Sequence, residues 1–227
     1  MRNLGTLGGN ESHASGINGC GLVVGSSEGP RGNVNEAVTH HGFIWFAGRM
    51  HELGSLRAGG HTWASKVNES GVVVGSSQAA DGEYHAFRFE DGEMIDLGTL
   101  GGKTSTASDI NDHGYIVGRS DGPRGTGAFI YDGKAMQDLG ALAADSSEAY
   151  SINNRGEVVG RSAVPSSGHH AFLFRAGRML DLNELIPTGT GWVLTEALDI
   201  NNGGQIVGNG ALDSAVRAFL LTPMASQ

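Results

Sequence analysis

The sequence predicts an all-β chain, a single five-bladed β-propeller with four-stranded blades whose last blade is closed by the N-terminal strand. Three observations carry the prediction: a repeat of about 44 residues, glycine at 38 of 227 positions, and the lack of any sustained 3.6-residue apolar period. The string Leu-Gly-x-Leu starts at Leu4, Leu53, Leu97 and Leu139, and a degenerate Leu-Asn-Glu-Leu starts at Leu182. The repeats are about 4–52, 53–96, 97–138, 139–181 and 182–222, the last completed by 1–4, and together they make 1–227 one domain. Four short strands in that length is the size of one propeller blade.

Each element has its own local signal. The first strand is a small-residue segment ending in Asn, as in Ala14 to Asn18, Ala64 to Asn68 and Ala149 to Asn153. The Asn-x-x-Gly that follows suits a tight turn with a positive φ at the glycine. The second strand is a β-branched run ending in Val-Gly, at Gly25, Gly75, Gly118, Gly160 and Gly208. The third alternates with period two, placing Phe43/Trp45, Phe87/Phe89, Phe129/Tyr131, Phe172/Phe174 and Phe219/Leu221 on one face. The fourth reads Gly, Met, acid, Leu, as in Gly92, Met94, Asp96 and Leu97, and the fifth repeat lacks it. Met1-Arg2-Asn3-Leu4 aligns with Met50-His51-Glu52-Leu53, so the N-terminus is read as the missing strand, removing two open edges.

Composition excludes several function classes. A net charge of -9 gives no basic footprint for nucleic acid. The single cysteine, Cys20, excludes an internal disulfide framework and a cysteine metal cluster. No apolar run reaches the length of a membrane span, and the chain opens without a signal peptide. No phosphate loop, nucleophile elbow or zinc-protease motif is present, and no cofactor is expected. "DINDHG" from Asp109 opens like a calcium loop but lacks the downstream Glu, which leaves turn chemistry. The third-strand histidines His40, His41, His85, His169 and His170 fall too far apart between blades to share a metal, so no metal site is expected.

The phrases "LGTLGG", "INDHGYIVGRS", "HAFLF" and "GRMLDL" resemble the HAF repeat, a bacterial family of probable extracellular repeats, over essentially the whole chain. The resemblance implies the strand pattern and an extracellular setting. The missing signal peptide points instead to the cytoplasm or to a trimmed chain. The His before Ala-Phe is Gly127 in the third repeat and Arg217 in the fifth, which departs from that pattern.

Two loop sets vary between repeats, those entering the first strand and those preceding the Phe strand, and loops on a rigid scaffold carry function. At the first of these, one column precedes the small residue of the first strand: His13, Trp63, Thr106, Glu148 and Glu196. On innermost strands, neighbours in this column would stand about 7–9 Å apart. Glu148 and Glu196 with His13 could then act as acid and base, and carboxylates about 5–9 Å apart suit glycoside hydrolysis. Trp63 and Trp192 offer stacking planes, Thr106 a hydroxyl, and Arg31 and Arg124, from two Gly-Pro-Arg-Gly turns, offer anion grips. The first reading is binding of a small polar molecule or glycan on the variable-loop face. A hydrolase or lyase using Glu148 and Glu196, and a scaffold for protein contacts, remain as alternatives.

Overall fold

The computed structural model describes residues 1–30, 38–143, 145–165 and 168–224. It is all-β, with five sheets of three or four antiparallel strands. Among the described residues the helical content is one 3-10 turn, Leu182–Glu184. No helix there is long and apolar enough to cross a membrane.

The first sheet holds β1 (Ser12–Ile17), β2 (Val23–Glu28), β3 (His40–Phe46) and β4 (Arg49–Glu52). The second holds β5 (Thr62–Val67), β6 (Val73–Gln78), β7 (Tyr84–Glu90) and β8 (Glu93–Asp96). Next come β9 (Ser105–Ile110), β10 (Ile116–Gly122), β11 (Gly125–Tyr131) and β12 (Met136–Asp138). The fourth sheet holds β13 (Ser147–Ile152), β14 (Val158–Val164), β15 (Gly168–Arg175) and β16 (Arg178–Asp181). The last holds β17 (Trp192–Ile200), β18 (Ile206–Leu212) and β19 (Ala215–Leu221). Strand order follows chain order, the up-and-down arrangement of a propeller blade.

The chain divides into two compact units, Met1–Thr99 with Lys103–Gly114, and Leu100–Gly102 with Tyr115–Gln227. In the first, Phe87 is fully buried against Val24 of β2 and Ala64 and Val67 of β5, so two consecutive sheets share one core. In the second, Phe172 is likewise buried, against Val117 and Ala128 on one side and Ala149, Ile152 and Val158 on the other. The alternation read from the third strand is thus the inward face, and its large rings fill the space between sheets.

A backbone irregularity recurs in the first strand. Register slips at Ala14/Gly16, Ala64/Lys66, Ala149/Ser151 and Ala197/Asp199 mark a β-bulge in four sheets. The bulge swings the preceding carbonyl over the second-strand glycine. A Cβ on Gly25, Gly75, Gly160 or Gly208 would lie 1.9, 2.0, 1.9 or 2.1 Å from the carbonyl oxygen of His13, Trp63, Glu148 or Glu196. Val-Gly therefore recurs because a backbone crosses where a side chain would begin.

The Asn-x-x-Gly turns form as expected, with φ of +79° at Gly21 and +75° at Gly156. They also stitch sheets together, which composition does not reveal. Asn18 Nδ2 donates to the Asn68 carbonyl at 3.0 Å, and Asn68 Nδ2 donates to the Asn111 carbonyl at 3.1 Å. In the second unit, Asn153 Nδ2 donates to the Asn201 carbonyl at 3.2 Å. Asn68 Oδ1 also accepts from the Val72 N–H at 2.9 Å, deep in the turn. Asn68→Ala removes both bonds and leaves the buried Val72 amide unpaired. It is expected to cost about 1–3 kcal/mol, read as a lower denaturant midpoint at unchanged slope.

The closing strand is corrected. Residues 1–11 form no strand, and the last sheet keeps three, β17 to β19. The N-terminal stretch is held by the first sheet instead. The Arg2 guanidinium sits 5.3 Å from the Trp45 ring centroid, Leu7 N–H donates to Ser27 Oγ, and Gly9 N–H donates to the Glu28 carbonyl. Those contacts give residues 1–9 partners that the alignment with residues 50–53 did not weigh. On β19, Val216 and Leu220 are exposed.

Candidate functional site

The second unit carries a continuous row of polar side chains across β10, β13, β14, β17 and β18. Glu148 on β13 stands opposite Arg161 on β14, and Glu196 on β17 opposite Asn209 on β18. Glu148 Oε2 accepts from Arg161 Nη2 and from the Tyr150 hydroxyl, both at 3.0 Å. Its Oε1 accepts from Arg119 Nη1 of β10, also at 3.0 Å. Arg161 Nη1 lies 4.0 Å from Glu196 Oε2, and Glu196 Oε1 accepts from Asn209 Nδ2 at 2.9 Å. The sequence runs Arg119, Glu148, Arg161, Glu196, Asn209, with charge alternating along the row. The bulges at Ala149/Ser151 and Leu194/Glu196 set where the two carboxylates leave the backbone.

The carboxylate at the centre is an anion. Burial pushes the Glu148 carboxyl up, but the Tyr150 hydroxyl, Arg161 and Arg119 outweigh it and hold it below its ordinary value. The Tyr150 hydroxyl moves the other way, raised by burial and by the negative charge of Glu148, so it remains a donor. The sign for stability follows: a carboxyl lowered in the folded chain contributes fully above its ordinary value of 4.5 and loses that contribution as pH falls through the lowered value. Melting temperatures taken from about pH 7 down to about pH 3 are expected to fall more steeply for the native chain than for Glu148→Gln. Equal slopes would contradict the lowered carboxyl.

Glu148 is held as an anion by two guanidiniums, whereas a catalytic acid is ordinarily raised. Glu148→Gln leaves Arg119 and Arg161 short of a charged acceptor. Arg161 Nε is already buried without a hydrogen-bond partner among the described residues, and its Cζ lies 5.9 Å from the Tyr150 ring centroid.

The other sequence candidates are placed separately. His13, on β1 of the first unit, is 72% exposed, with Nε2 3.7 Å from Glu11 Oε2. It belongs to a different unit from Glu148 and Glu196. Trp63 packs in the first unit with His61 (centroids 5.5 Å, planes 5° apart), His40 (5.5 Å, 27°) and the edge of Tyr84. Burial first, then the charges of His40 and His41, lowers the His61 pKa and keeps that ring neutral. Thr106 is half-buried on β9 of the same unit. Trp192 meets Phe219 edge to face at 6.4 Å and lines an apolar cavity of about 350 Å³ with Ile186 and Pro187. Arg124 Nη2 donates to Asp138 Oδ2 at 3.0 Å, so its charge is already matched. Arg31 lies outside the described residues.

Sequence reasoning missed Arg119, Tyr150, Arg161 and Asn209. A signal was present. The residue after the second-strand glycine reads Ser26, Ser76, Arg119, Arg161 and Asn209, and it is the cross-strand neighbour of the first-strand column.

Residues 103–209 match the model of a family described as "Protein of unknown function (DUF3466)". That match, and not the HAF repeat, is the family finding, and it overturns the resemblance drawn from "LGTLGG" and "HAFLF". All five residues of the polar row, and Tyr150 beside Glu148, fall within the matched stretch. No curated protein matches the chain. Among solved structures, a gluconolactonase from Xanthomonas campestris is similar over 96% of this chain and 79% of that chain, at 12% identity and a TM-score of 0.47.

Proposed function

We propose that the second unit binds a small, uncharged, hydroxyl-rich ligand such as a sugar along the Arg119–Glu148–Arg161–Glu196–Asn209 row. The observation that carries the reading is the alternation of charge. Two guanidiniums and two carboxylates cancel, so neither a net anion nor a net cation is favoured, while forked donors and acceptors remain side by side. That pattern suits vicinal hydroxyls, each of which donates once and accepts. Arg119 is 55% exposed and Glu196 28%, so both retain surface for a ligand. Glu148 is the second residue of β13, next to one of the loops that differ most between repeats. The same reading takes the five sheets as blades of one propeller domain presenting that loop face.

Calorimetric titration with a panel of neutral and charged monosaccharides and disaccharides tests it. A neutral member is expected to bind, and Arg119→Ala to weaken it by about 10–100-fold, the worth of one hydrogen bond to a charged group. Arg119 is exposed, so its loss should leave the fold intact. Heat from charged members only, or unchanged affinity in Arg119→Ala, would overturn the proposal.

A further inference from the structure

Three sheets share a histidine–carboxylate pair that the remaining four-stranded one lacks. His41 Nδ1 meets Glu52 Oε1, His85 Nδ1 meets Asp96 Oδ2 at 2.9 Å, and His170 Nδ1 meets Asp181 Oδ2 at 2.6 Å. These histidines stand opposite Ser27, Ser77 and Ser162 in the ladder. The register equivalent in the third repeat is Gly127, opposite Ser120, and the equivalent acid is Asp138, opposite Phe129. The acid keeps its place: Asp138 Oδ1 accepts from the Gly140 N–H at 2.8 Å, as Asp96 Oδ1 accepts from Gly98. The imidazole is what is missing.

Its space is open. A cavity of about 270 Å³ is lined by Gly127, Asp138, Arg124, Gly125, Leu100 and Ser147, all in the second unit. A Cβ built on Gly127 would point at this acid, 3.1 Å from Asp138 Oδ1 and 3.4 Å from Leu100 Cδ1. Arg124, 72% exposed on its turn, reaches back to Asp138 Oδ2 and takes the place at the carboxylate that a histidine takes elsewhere. An exposed surface arginine is a replaceable partner, because exposed ion pairs contribute little.

We propose that this cavity is a binding site for a small planar nitrogen base of the imidazole or amidine class, whose N–H donates to Asp138 in place of the absent histidine. The chemistry comes from the chain itself, which makes that ring–carboxylate contact in three sheets and keeps the carboxylate without the ring in the third repeat. The ligand displaces Arg124 from Asp138 and rests on Leu100. The site is independent of the polar row, so either proposal can fail alone.

Imidazole is the probe, followed by backbone amide NMR of the full chain. Saturable shifts are expected at Gly125, Gly127, Asp138 and Gly140. Asp138→Asn is expected to weaken the interaction at least tenfold, and Arg124→Ala to strengthen it by removing the competitor. Gly127→His is expected to abolish it by filling the space. Should Gly127→His fail to fold, the two other variants still decide. Absence of shifts at these positions up to high imidazole concentration, or the same affinity in Asp138→Asn, would overturn the proposal.

Discussion

Replacing Gly160 by Ala is expected to destabilise the second unit by about 3 kcal/mol or more. The added Cβ would lie 1.9 Å from the Glu148 carbonyl oxygen, 2.9 Å from Phe172 Cε1 and 3.0 Å from Ala149 Cα. Two of these neighbours are backbone and cannot rotate away. Relief would require undoing the bulge at Ala149/Ser151, which would slip β13 by one residue and turn its faces over. Because Glu148 shortly precedes that bulge and its partner Tyr150 lies in it, the polar row should break with the fold. Chemical denaturation measures the loss, and the amide signals of Arg119 and Glu196 should move with it. A variant within 1 kcal/mol of the native chain, on the scale of ordinary substitutions, would show that the bulge does not fix the strand.

Phe172→Ala is expected to cost about 3–5 kcal/mol. The ring is 0% exposed and touches residues of two consecutive sheets, Val117 and Ala128 on one side and Ala149 and Val158 on the other. Truncation leaves a void that strands, pinned by their ladders, cannot close. Phe219 is 8% exposed in the three-stranded last sheet, so the same change there should cost less. Thermal melts of the pair give the order directly, and an equal loss at both positions would contradict this account of the core.

Much of the fold was legible because each sheet repeats one local code. Period-two alternation marked Phe129 and Phe172, Asn-x-x-Gly marked the turns, and Val-Gly marked the second strand. What the code could not supply was competition between contacts. Met1 to Leu4 looks like Met50 to Leu53, yet Arg2 finds the face of Trp45, and a strand pattern cannot rank that contact against a ladder. The site was half legible for a related reason. Glu148 and Glu196 stood out as a column of one strand. Their partners Arg161 and Arg119 sit on other strands, and the bulge shifts the register by which they would be found. Gly127 was visible as a departure from the His-Ala-Phe pattern. The cavity it leaves depends on packing with Leu100 and Asp138, which no single strand encodes.

The polar row is the centre of this account, and a site-resolved titration tests it most directly. Arginine side-chain and glutamate carboxyl signals would be followed by NMR while neutral monosaccharides and disaccharides are added. The account predicts that Arg119, Arg161, Glu148 and Glu196 shift together on one saturating curve, with Glu148 remaining ionised throughout. Shifts confined to the Asn153 and Asn201 turns, or a Glu148 carboxyl that takes up a proton as ligand binds, would contradict it.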